Sequence, residues 1–187
     1  MTVVATVAGT PVPVADVDAR EAALRASPQT AALPRPGTSE GRQLRRWLTQ
    51  ILVTEKVVAA EAEALGVTVT DSTPTEEQLL PDLTARLEIG SIAAGALAAP
   101  LARAVFARVT AGVDVDAETV TGYRRRNPDR FAGQAEPEVT IAAMLGGAAR
   151  RRAFRLWLDQ RRAALVELAP GYEHPGDPRQ PDNIHRH

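Results

Sequence analysis

Apolar side chains recur at three- and four-residue steps through residues 40–67, EGRQLRRWLTQILVTEKVVAAEAEALGV. Leu44, Trp47, Leu48, Ile51, Leu52, Val57, Val58, Ala62 and Leu65 fall on one broad face of a 3.6-residue period there. Arg42, Arg45, Glu55, Glu61 and Glu63 are left to the outside, and Gly66 supplies the residue that turns to positive φ just past a helix end. At 1.5 Å per residue this helix reaches about 40 Å, the span of a small domain. The shorter segments on either side are therefore expected to pack on it.

Before it, residues 3–7 and 12–14 flank Gly9-Thr10-Pro11 and predict a short strand, a turn and the start of a helix over residues 14–26. In that helix Val14, Val17 and Leu24 face inward, with Asp16 and Asp18 near the N-terminal dipole. Residues 27–38, SPQTAALPRPGT, predict an extended connection. After the long helix, Thr73-Pro74-Thr75-Glu76 predicts a threonine cap with proline in the first turn and glutamate completing a capping box. Residues 79–109 are helical in pattern, with breaks expected near Pro81, Gly90 or Pro100; the small residues Gly90, Ser91, Ala94, Gly95 and Ala98 suit close helix packing. Asp116 caps a helix over residues 117–126 that stops at Asn127-Pro128. A last long helix covers residues 138–168 with Ile141, Met144, Leu145, Phe154, Trp157, Leu158 and Leu165 as its stripe, and Gly146-Gly147 is a point where it can kink or break. The tail from residue 171 is polar and proline-rich, with little capacity to fold on its own.

Composition narrows the chemistry. Across 187 residues, 22 basic side chains face 23 acidic ones, a net charge of -1, which gives no general pull toward nucleic acid or anionic lipid. With no cysteine there is no disulfide, thiol nucleophile or thiolate metal site. Residues 1–12 lack a basic region followed by a long apolar stretch, so a cytoplasmic location is expected. The uncharged run near residues 89–102 is too short to span a bilayer, and no membrane association is expected.

The order of these pieces resembles a known group. VATVAGTPVPVADVDAREAAL is similar to the opening of the SurA, PrsA and PpiD foldases, and QILVTEKVVAAEAEALGVTVT to the end of their long helix. DAETVTGYRRRNPDRF resembles the short helix and Asn-Pro turn that lead into the parvulin-type prolyl isomerase domain, and EVTIAAMLGGAARRRAFRLWLDQRRAALVEL resembles the helix that returns after it. The resemblance covers residues 3–168. It implies a mainly α, SurA N-terminal-like helical domain over residues 1–170 built on the long central helix. Within it are an N-terminal lobe (1–72), middle helices (73–131) and a C-terminal helix (136–168), followed by a tail (171–187). A minimal β element is expected from the N-terminal strand and the chain near residues 166–168. In the family a whole isomerase domain stands between the Asn-Pro turn and the last helix, whereas Phe131 and Glu138 are almost adjacent in this sequence. On an alternative alignment, PEVTIAAML falls on the first isomerase strand and Ala143 occupies the place of its active-site histidine. Neither alignment leaves a histidine there, because His174, His185 and His187 all lie in the tail.

These readings predict no catalytic residue and no cofactor. The leading expectation is a non-catalytic, chaperone-like or accessory protein that holds an extended polypeptide in an apolar groove formed by Trp47, Ile51, Phe106, Tyr123 and Trp157. The alternative is a cofactor-free cyclase- or isomerase-type enzyme, or an accessory protein of a biosynthetic pathway, that uses the space left by the isomerase for a small molecule. Clustered arginines nominate Arg124, Arg151 and Arg155 for an anion, although solvated helix faces and internal ion pairs are the simpler reading of both arginine clusters. Nucleic acid is not expected, since acidic residues balance the arginines and few aromatics accompany them. The tail histidines His174, His185 and His187 have ligand chemistry but no second shell that predicts a metal site. Exposed apolar surface on a scaffold lacking its inserted domain is compatible with a homodimer.

Overall fold

The computed structural model describes residues 2–179. It is mainly helical with one small antiparallel sheet, and it divides into two compact units. One comprises residues 2–66 with 160–179, the other residues 67–159.

In the first unit, β1 (Val3–Val7) and β2 (Thr10–Pro13) form a hairpin whose two turn residues, Ala8 (φ 47) and Gly9 (φ 78), are both left-handed. That geometry matches the twist of the flanking strands. The second strand differs from the expected turn and helix start: Pro11 and Pro13 argue against a strand in general, but β2 lies at the sheet edge, where missing N–H groups are tolerated. On the other side of β1 lies β3 (Val166–Leu168), with Ala5 opposite Leu168 and Val7 opposite Val166. The expected pairing of the N-terminal strand with residues 166–168 is thus present. The chain leaves its last helix at Leu165, three residues before the predicted end, in order to make it.

The hairpin runs into α1 (Val14–Arg25), then through a 3-10 turn (Pro28–Ala32) into α2 (Ser39–Leu65). Thr38 caps α2 by accepting from Gly41 N at 3.0 Å, and Gly66 (φ 63) closes it in the left-handed conformation. Leu48, Ile51, Leu52, Val57, Val58 and Ala62 are buried as the periodicity predicts, together with Val53. Leu65 is exposed, and Trp47 is half-buried. Buried polar groups also sit on α2: Arg46, Thr49, Gln50, Thr54 and Glu61. Periodicity places Glu61 toward solvent; its carboxylate instead accepts from Arg161 at 2.6 Å. Gln50 donates from Nε2 to Tyr172 O at 2.8 Å, while Arg162 donates to its Oε1 and, at 3.2 Å, to its backbone carbonyl. The chain at Tyr172 therefore returns to α2, and farther on Arg179 donates to the Asp177 carboxylate at 2.7 Å.

The second unit begins with α3 (Glu76–Leu79). Its capping box is made by Thr75 and Gln78, two residues beyond the Thr73 expected from sequence, because proline at 74 stands before the cap and not inside the first turn. Helices α4 (Leu83–Ile89), α5 (Ser91–Ala96) and α6 (Pro100–Val109) follow, separated at all three predicted breakers. Asp116 caps α7 (Ala117–Arg126), accepting from Thr119 N at 2.6 Å. Helix α8 (Pro137–Leu165) passes Gly146-Gly147 without a break and contributes its residues up to Asp159 to this unit. Phe154 is fully buried between Phe106 (5.0 Å between centroids) and Trp157 (5.6 Å). A separate apolar patch gathers Val120, Phe131 and Ile141 with Val115, Tyr123, Met144 and Leu145 around them. Among the described residues no helix is long and apolar enough to cross a membrane.

Two glycines test the packing with opposite signs. A Cβ on Gly41 would lie 2.3 Å from the Arg35 carbonyl oxygen, which is itself held by the Thr38 hydroxyl at 2.8 Å, whereas one on Gly146 meets open space. Gly146→Ala is expected to raise the unfolding free energy by about 0.5–1 kcal/mol. Gly41→Ala should lower it by about 1–3 kcal/mol, as read from urea unfolding curves of the full chain.

Candidate functional site

In the second unit, α6 presents Phe106, Ala107, Thr110 and Ala111 as one wall of a cavity of about 280 Å³, completed by Pro74, Leu79 and Arg150. The wall is positioned by arginine. Arg103, also on α6, donates to Pro74 O at 2.8 Å and to the carbonyls of Leu97 (2.9 Å) and Ala98 (2.7 Å), which fixes the chain on either side. Thr110 spends its hydroxyl on Phe106 O at 2.7 Å, and Arg150 donates to Val113 O at 3.2 Å. What faces the space is mostly carbon. A cavity near 150 Å³ holds a benzene ring, so this one accommodates an aromatic or a pair of small aliphatic side chains.

The structure distributes the predicted groove residues over several places. Trp47 and Ile51 stand on α2 in the first unit, Ile51 within its core. Phe106 lines the cavity just described, and Trp157 reaches the same aromatic group through Phe154. Tyr123 belongs to the other patch, 6.0 Å from Phe131, with its hydroxyl accepting from Arg130 at 2.9 Å. Phe106 is thus the single one of the five that lines this cavity. The predicted anion-binding arginines are not gathered either. Arg124 is bound to Glu138. Arg151 is buried, with its guanidinium on Glu88 at 2.8 Å and on Leu79 O at 3.2 Å. Arg155 is exposed on α8. The two committed guanidinium groups hold helices together, which is the internal ion-pair reading of these clusters.

A second cavity, of about 290 Å³, lies in the first unit and is lined by Arg42, Arg45, Arg46, Gly171 and Tyr172. The three arginines occupy positions i, i+3 and i+4 of α2, one face of a helical turn. Arg45 is oriented by Asp18 and Glu21, each at 2.6 Å, and Glu21 also accepts from Arg25 at 2.7 Å. Burial pushes the Glu21 carboxyl up, but hydrogen bonds from Arg25 and Arg45 outweigh it and leave the pKa below its ordinary value of 4.5. For Arg45, burial acts downward and the bonds to Asp18 and Glu21 carry the pKa up. Helical periodicity places Arg42 and Arg45 toward solvent and so passes over this group. The signal available was their spacing with Arg46 on the one long helix.

Residues 3–40 match a family of unknown function, DUF7158. That stretch is the β1–β2 hairpin, α1, the connection after it and the first residues of α2. No curated protein and no solved structure matches the chain.

Among the described residues no group of three or more His, Asp or Glu is arranged to hold a metal ion. The His174 ring accepts from Gly176 N at 2.9 Å inside a local turn, and His185 and His187 lie outside the described residues. The carboxylates with resolved shifts, Glu21, Glu40, Glu77, Asp116, Glu138 and Asp177, are all moved downward, Asp177 to about 2 by the Arg179 side chain and backbone. Each is thereby favoured as an anion, the opposite of the raised pKa that suits a general acid at neutral pH.

Because Glu21 is more acidic in the folded chain, its stabilising contribution is complete above pH 4.5 and is lost as the pH falls through its lowered value. Glu21→Gln is expected to lower the melting temperature at pH 7 and to flatten the loss of stability below pH 4.5 relative to the parent, measured by thermal melts between pH 7 and pH 3.

Proposed function

We propose that this protein is a non-catalytic, chaperone-like or accessory binding module that holds apolar side chains of an extended polypeptide in the α6 cavity of the second unit. The observation that carries this reading is the carbon-lined space beside Phe106, where the Thr110 hydroxyl donates to Phe106 O and Arg150 donates through Nε to Val113 O. Such a space offers reversible apolar burial, at roughly 25 cal/mol per Å² removed from water. Two large apolar side chains just beyond the cavity residue Leu79 add to it: Leu83 and Leu87 are 70% and 72% exposed and share one face of α4 at i, i+4 spacing. The order of elements, which resembles the SurA-type foldases without their isomerase domain, agrees with a gripping role. The partner is a polypeptide, with no cofactor.

Ala107→Trp, at an exposed position on the cavity wall, should fill the space while leaving helical circular dichroism unchanged. Fluorescence anisotropy with labelled peptides rich in Leu and Phe is expected to show saturable binding by the parent and at least tenfold weaker binding by Ala107→Trp. A Leu83→Ser/Leu87→Ser double variant should weaken binding several-fold. Binding that is equally strong in the folded Ala107→Trp variant, or no binding together with no suppression of client aggregation by light scattering, would remove this function.

A further inference from the structure

The α6 cavity has one charged group in its wall, and that group is only partly used. Arg150, exposed on α8, donates through Nε to Val113 O at 3.2 Å, and among the described residues its two Nη groups donate to nothing. The acids of the neighbouring elements are bound elsewhere. Glu76 accepts from Arg86 at 2.8 Å and Glu88 from Arg151 at 2.8 Å, while the Asp114 carboxylate takes Val115 N at 2.8 Å. Held by Nε on a backbone carbonyl, the Arg150 guanidinium keeps its outer pair of nitrogens as a planar fork, the shape that two carboxylate oxygens match.

A carbon-lined space with a single cation in its wall selects a ligand in which an apolar group and an anion are covalently close. Along an extended chain, successive side chains point to opposite faces. An acid next to the residue in the cavity is therefore directed away from Arg150, and one two positions along stands about 7 Å farther on. At a C-terminal residue the carboxylate is on the same Cα as the side chain, so burying the side chain carries the charge to the wall with it. The cavity, about 280 Å³, admits one aromatic side chain. Residues before the terminus also have a surface to lie on. Arg151, next to Arg150, bonds both Leu79 O of the cavity wall, at 3.2 Å, and Glu88, which sets α4 with its exposed Leu83 and Leu87 beside that wall.

We infer that the α6 cavity is a receptor for a polypeptide C-terminus: the last residue, aromatic or large aliphatic, sits beside Phe106, and its carboxylate is held by the Nη groups of Arg150. This rests on the polypeptide reading above and narrows its ligand to chain ends.

Fluorescence anisotropy of the full chain with one N-terminally labelled peptide ending in Leu-Ser-Phe, made both as the free acid and as the C-terminal amide, tests it. The acid is expected to bind at least fivefold more tightly than the amide at low salt, and the advantage to shrink at high salt. Arg150→Gln should bring the ratio close to one while the amide's affinity stays within twofold of the parent's. If that variant loses helical circular dichroism, Arg150→Lys, which keeps the charge but not the fork, is read in its place and should lower the ratio at least twofold. Arg152→Ala, which removes an exposed cation two residues along α8, should leave the ratio intact. Acid and amide bound equally by the parent, or a ratio unchanged in the folded Arg150 variant, would overturn the inference and leave the polypeptide reading in place, whereas no binding of either peptide removes both. N-acetylphenylalanine competing as strongly as the peptide would also overturn it, because the ligand would then be a small apolar acid and not a chain end.

Discussion

The side-chain amide of Gln50 is the joint on which the first unit closes. It sits in the middle of the long helix, 1% exposed, and a primary amide offers both an acceptor and donors. The acceptor takes Arg162 from the end of α8, and a donor reaches Tyr172 in the tail. Either partner alone would leave a buried polar group unmatched, which costs about 1–3 kcal/mol for each atom left over. Together they fix where α8 must end relative to α2, and so where residues 166–168 emerge to join β1. The sheet, the turn at Gly171 and the shape of the arginine-lined cavity all follow from that fixed exit.

Arginine performs the same task in both units. The chain has a single lysine, Lys56, and its guanidinium groups are spent largely inward: Arg103 on the carbonyls around α6, Arg150 on the turn after it, Arg151 on α3 and α4, Arg162 on α2. Helix ends leave carbonyls without intrahelical donors, and a planar fork can meet two of them at once where an ammonium meets them as a point charge. A unit built of short helices has many such ends. The short helix α5, SIAAGA, contributes little side-chain bulk, and the Arg103 side chain spans the carbonyls just beyond it.

Local grammar made much of this fold readable. Gly66 in the left-handed conformation, Asp116 on Thr119, the breaks at Pro81, Gly90 and Pro100, and the strand formed by residues 166–168 all answer to rules that act within a few residues or on one edge of a sheet. The mainly α class followed from them. Where a local rule competed with a distant partner, pattern gave the wrong side: Glu61 reads as solvent-facing until Arg161, one hundred positions away, is placed beside it. Pro11 and Pro13 argued against a strand that the sheet edge then permitted, and Gly146-Gly147 did not interrupt α8, whose Arg151 guanidinium lies over Gly147. The site was less legible than the fold. Aromatic residues such as Ile51's neighbour Trp47, and Tyr123, signal burial without saying which burial, and Arg42, Arg45 and Arg46 converge only when the tail closes over them.

The edge of the sheet carries a consequence for how any partner can be held. Of the four residues of β2, two are prolines, and β3 on the far side is only three residues long. Neither margin offers the row of alternating amide donors that an incoming chain needs to zip on as another strand. Among the described residues, these two short edges are poor templates for recognition by main-chain pairing, which reads length and extension more than side-chain identity. Contacts at this sheet would therefore have to be made through side chains, so that shape and chemistry matter there more than strand length.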